Sequence, residues 1–133
     1  MFFDKKKEND LIKVSALLIH AAKIDQNYSS QEQKIIKQTL REFGADDENL
    51  EEILKNGEKI ENDSVQILDF TREIKNMNQE NKVKIIETLW RIIYSNKDAD
   101  IYETNLMRRL AGLFYVDSKT MGDIQEEIKK ENS

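Results

Sequence analysis

From Leu11 to Ile128 the apolar residues return every three or four positions, and no proline interrupts them anywhere in the chain. That spacing lines up one face of an α-helix, whereas a strand would need alternation with period two, and no segment of useful length alternates. The periodicity therefore predicts an all-α fold of about seven helices. The first is expected over about Glu8 to Ile24, with Leu11, Val14, Leu18, Ala21 and Ala22 along one stripe. The second is expected over Ser30 to Phe43, with Gly44 placed as a C′ glycine to end it. The third covers about Asp47 to Ile60 and the fourth starts near Ser64, carrying Val65, Leu68 and Phe70. The fifth is the most apolar, with Val83, Ile86, Leu89, Trp90 and Ile93. The sixth starts at Ile101 and the seventh at about Ser118. A length of 133 residues suits one domain. The reading is a domain over 8–128 between terminal tails at 1–7 and 129–133, with one apolar stripe per helix buried in a single core.

The chain also repeats itself. Shifted by 71 residues, Leu18 meets Leu89, Glu32 meets Glu103, Ile36 meets Met107, Phe43 meets Phe114, Asp46 meets Asp117 and Ile53 meets Ile124. The match extends without a gap over about 15–54 and 86–125. Each half is then a helical hairpin plus a third helix, and a pseudo-twofold arrangement of two such units is expected, with the fourth helix joining them.

Composition removes whole classes of chemistry. With no Cys there is no disulfide framework, thiol nucleophile, zinc finger or iron–sulfur site. A single His leaves no His-rich metal site, and any serine triad would depend on His20. No Gly-rich phosphate loop, Gly-x-Ser-x-Gly elbow or His-Glu-x-x-His occurs. No catalytic residue is assigned, and an enzymatic role ranks last. The net charge of −5 disfavours nucleic acid and anionic membrane surfaces as partners. Met1-Phe2-Phe3-Asp4 before Lys5-Lys6-Lys7 is too short for a signal peptide, and at most a weak membrane contact. A cytoplasmic location is expected.

Concentrated chemistry falls in two turns. One reads Asp25-Gln26-Asn27-Tyr28-Ser29-Ser30-Gln31-Glu32, and the other Asn96-Lys97-Asp98-Ala99-Asp100-Ile101-Tyr102-Glu103. Their oxygen donors suit a hard divalent cation such as Ca²⁺, for which Asp25, Glu32, Asp98, Asp100 and Glu103 are the candidate ligands. An EF-hand is ruled out: counted from Asp25, position six is Ser30 and position twelve Ile36. The same residues admit a plainer role, since Ser29-x-x-Glu32 and Asp100-x-x-Glu103 each spell a capping box. Capping accounts for Ser29, Asp100 and both glutamates, and less well for Asp25 and Asp98. His20 is expected to be a partly buried, hydrogen-bonded side chain, and Trp90 and Phe70 to pack in the core. Arg72, Arg91, Arg108 and Arg109 are expected to pair with nearby acids, the alternative being a partner-binding face.

Phe70-Thr71-Arg72, Leu89-Trp90-Arg91-Ile92-Ile93-Tyr94, Tyr102-Glu103 and Leu106-Met107-Arg108-Arg109, with Ala21-Ala22-Lys23-Ile24-Asp25 and Glu32 before them, resemble the TerB-like family of tellurite-resistance proteins. The resemblance runs from about Leu11 to Glu127. It implies an all-helical domain with duplicated acidic turns, a link to tellurite and other stress responses, and divalent-cation binding in some members. It carries Asp25, Glu32, Asp98, Asp100 and Glu103 over as the family's acidic positions. The family's turns hold Asp-Gly followed by an acid and then Glu. Here Gln26 replaces the first Gly, Asn96-Lys97 replaces the second Asp-Gly, and Ser29 stands where an acid is often found. Two functions follow: a module that binds a divalent cation at the paired turns, or a metal-free scaffold that binds a protein partner or a second copy of itself through a helical face.

Overall fold

The computed structural model describes residues 5–24, 28–63, 68–95 and 100–131. Seven α-helices make up the described chain: α1 (Lys5–Lys23), α2 (Ser30–Glu42), α3 (Asp47–Asp63), α4 (Leu68–Lys75), α5 (Gln79–Tyr94), α6 (Ile101–Phe114) and α7 (Ser118–Glu131). The all-α expectation holds, and the helix starts at Ser30, Asp47, Ile101 and Ser118 fall where the sequence places them. α1 opens three residues earlier than expected, at Lys5, and α7 runs on to Glu131.

The helix ends explain these boundaries. The Ser29, Asp46, Asn78, Asp100 and Asp117 side chains each accept a backbone N–H of the turn that follows them, supplying partners that the helix itself cannot. At the end of α2, Gly44 N–H donates to Arg41 and Ala45 N–H to Leu40, with Gly44 at φ 108°. This is a Schellman turn. At the end of α6 the same two bonds recur 71 residues on, from Tyr115 to Gly112 and from Val116 to Ala111. The caps Ser29 and Asp100, and Asp46 and Asp117, keep that same spacing, so the internal repeat is written in the helix ends as well as in the apolar positions.

One stripe per helix is too simple for the centre. In α1, residues 11, 12, 14–19, 21 and 22 are all buried, and α5 buries Ile85, Ile86, Leu89, Trp90, Ile92 and Ile93. A helix that is apolar nearly all round is covered on all sides, and α1 is covered by α2, α3, α4 and α5. α5 packs on α7, α1 and α2. α1 meets α3 across Gly57, where an added Cβ would fall on the Ser15 side chain, with Ser15 Cβ 3.1 Å and the Ala16 nitrogen 3.3 Å away. The buried Ser15 hydroxyl donates to the Ile12 carbonyl at 2.8 Å, so the crossing leaves no stray donor. The expected hairpins fare unevenly. α1 and α2 touch, but α5 and α6 make little or no close backbone contact, and α6 rests on α4 and α7 instead.

Candidate functional site: the capped turns and the face of α6

Both acidic turns end in complete capping boxes. Ser29 Oγ accepts the Glu32 N–H at 3.1 Å and Glu32 Oε1 accepts the Ser29 N–H at 2.8 Å. In the second turn Asp100 Oδ1 accepts the Glu103 N–H at 2.9 Å and Glu103 Oε1 accepts the Asp100 N–H at 3.1 Å. Both glutamates are buried, at 2% and 3% exposure. A buried carboxylate must be hydrogen-bonded or neutralised, and the caps bond these two through one oxygen each. Tyr28, next to the first box, has its phenol pushed up to about 12 by burial first, then by the neighbouring Glu58 and Glu32 carboxylates. Tyr28 therefore sits in an acidic, partly dry corner beside α2 and α3.

Of the five candidate ligands, Glu32, Asp100 and Glu103 are seen in capping roles. Asp25 and Asp98 lie outside the described residues. Among the described residues no group of three or more His, Asp or Glu side chains is gathered so as to hold a metal ion.

His20 behaves as expected. Its Nδ1 lies 3.3 Å from Glu61, whose other oxygen accepts Lys23 Nζ at 2.8 Å, and its ring packs on Phe70. The arginines divide. Arg91 forks onto both oxygens of Glu131 at 3.2 Å, tying α5 to α7. This bond and the surrounding Glu131, Glu87 and Glu42 charges hold its guanidinium more firmly protonated still, against the opposing effect of its partial burial. Arg108 reaches only the Asn105 side-chain oxygen, at 3.4 Å. Arg72, Arg108 and Arg109 are exposed, and among the described residues Arg91 is the one of these four arginines with an ion pair.

The first turn of α6 carries an apolar surface that periodicity hides. Ile101 and Tyr102 are 68% and 74% exposed on a firmly capped helix start. Beside them an open cavity of about 490 Å³ separates α6 from the end of α1, lined by His20, Ile24, Tyr102, Asn105, Leu106 and Arg109. Sequence reasoning used Tyr102 only for its place in a motif. The available signal was that Ile101, nine residues before the inward Leu110, stands on the opposite side of the helix from it.

The architecture is that of an all-α module of seven helices among the described residues, with capping boxes at the starts of α2 and α6. A family model described as "Tellurite resistance protein TerB" matches residues 11–126, and the chain belongs to that family. Neither the curated proteins nor the solved structures provide a match.

Proposed function

We propose that this member of the TerB family is a non-catalytic cytoplasmic module of a tellurite or stress response, and that it acts by docking a protein on the face between the start of α6 and the end of α1. The observation that carries this reading is the exposed Ile101–Tyr102 pair beside the cavity rimmed by His20, Asn105 and Arg109. Aromatic and arginine side chains around an apolar recess are the groups that dominate protein–protein contacts. The capping box keeps them on a rigid support, which lowers the ordering cost of binding.

A second reading has its own support. Glu32 and Glu103 are buried carboxylates at corresponding positions of the two acidic turns, and a divalent cation such as Ca²⁺ is the ligand such oxygens would take. Asp25, Asp98 and Asp100 would complete its oxygen shell.

The test uses I101S/Y102S. Both side chains are exposed, so stability should change by no more than about 0.5 kcal/mol. A partner recovered with the wild-type chain, or a second copy detected by sedimentation, should bind the variant roughly tenfold or more weakly. Equal binding to both forms overturns the docking face. Adding millimolar Ca²⁺ should leave the wild-type melting temperature at that of an ionic-strength control. A rise that E32Q/E103Q abolishes would favour the cation reading instead, because Gln keeps the capping box while removing the charge.

A further inference from the structure

α5 and α6 stand apart where a closed hairpin would pack, and the space between them and α7 is a cleft of about 180 Å³. Trp90, Thr104, Met107, Arg108, Met121 and Gly122 supply much of its wall. Three features of this wall are unexplained by the fold.

The first is Trp90. The residue is 3% exposed, and its indole nitrogen is buried with no hydrogen-bond partner among the described residues. Buried donors are almost always paired, and one left alone calls for a cause.

The second is Gly122, in the interior of α7. Its backbone is not in the positive-φ region, and a Cβ added to it would meet nothing within 4 Å. Glycine weakens a helix interior relative to alanine, so neither conformation nor packing accounts for it. What the missing side chain does is leave the cleft open.

The third is charge. The chain holds 26 acidic residues against 21 Lys and Arg, yet the cleft lining includes no carboxylate and one guanidinium, that of Arg108. In a molecule of net charge −5 the cleft lining is thus locally cationic.

The apolar wall narrows the choice of anion. An apolar void of about 150 Å³ accepts benzene, so the cleft has room for one ring and a small substituent. The Met107 and Met121 thioethers are adjustable and make favourable contacts with aromatic edges. We infer that this cleft binds a small aromatic carboxylate, its anionic end on the Arg108 fork and its ring between the two methionines and Trp90.

Trp90 is the one tryptophan in the chain, so a ¹⁵N-labelled sample has a single indole N–H resonance to follow. Benzoate is the probe and benzamide its neutral counterpart. Benzoate should move the indole resonance saturably, with a Kd on the order of 1 mM for so small a ligand. R108Q should weaken benzoate roughly tenfold and leave the weak response to benzamide unchanged. G122L should fill the cleft and abolish the shift, with circular dichroism confirming that the helices persist. If G122L does not fold, the exposed R108Q carries the test. The proposal is overturned if benzoate at about 20 mM, well above the expected Kd, leaves the indole resonance in place. It is overturned equally if benzamide binds as well as benzoate, or if a folded G122L still responds.

Discussion

Tyr115 holds its backbone at φ 58°, in the left-handed region that β-carbons disfavour, and its ring is 74% exposed. It stands where the first half of the repeat has Gly44, closing the same Schellman turn. Two lysines partly offset the cost, since Lys75 and Lys82 place their ammonium groups 5.7 and 6.0 Å from the Tyr115 ring. Lys82 is itself buried and donates to the Phe114 carbonyl at 2.9 Å, capping the end of α6. Replacing the tyrosine and the glycine should have opposite effects. Gly44→Ala should destabilise by about 1–2 kcal/mol, while Tyr115→Gly should be neutral or stabilise by up to about 1 kcal/mol. Urea denaturation of the two variants measures both. A Gly44→Ala chain as stable as wild type would show that this turn does not require its glycine. The glycine is legible from the sequence because it ends an apolar stripe. Tyr115 is not, since a tyrosine announces no positive φ.

At the scale of elements, the caps and the crossings differ in how far local residues determine them. Each capping box needs two side chains three residues apart, so both were readable from Ser29-x-x-Glu32 and Asp100-x-x-Glu103. The α1–α3 crossing depends on Ser15 and Gly57, far apart in the chain, and neither is unusual in its own helix. Gly57→Ala should push α1 from α3 and cost about 1–3 kcal/mol, as overpacking does. Adding Ser15→Ala should recover part of that loss, because the hydroxyl that meets the new Cβ is gone. Thermal unfolding of the single and double variants decides the matter: strictly additive losses would mean that the two residues do not touch. The same distance in sequence concealed the cleft. Trp90, Met107 and Gly122 each look like ordinary helical residues until α5, α6 and α7 converge.

Over the whole molecule, surface charge is arranged unevenly. Glu87 on α5 faces Glu42 of α2 and Glu127 and Glu131 of α7, with Arg91 in opposition. Burial first, then these carboxylates, raises its pKa above the ordinary value of 4.5. The folded chain thus binds this proton more tightly than the unfolded chain. Its favourable contribution is present below the unfolded pKa and is lost as pH rises through the folded one. At neutral pH the ionised Glu87 is a cost, so Glu87→Gln should raise the melting temperature at pH 7, and the gain should shrink as pH falls below about 4.5. A gain of equal size at both ends of that range would show that the charge is not its source.

The sequence by itself determined the all-α class, the starts of α2, α3, α6 and α7, both capping boxes and the family. These rest on periodicity and on pairs of residues within one turn of each other, where the chain's own geometry brings the groups together. Only the tertiary structure decided that α1 and α5 are buried nearly all round, that α5 and α6 stand apart, and that Ile101 and Tyr102 face outward. Burial and concavity depend on which helices lie opposite one another, and helical periodicity within a segment does not encode its partner. The two capped glutamates mark that boundary: their hydrogen bonds are local and readable, whereas what their remaining oxygens face is set by the fold.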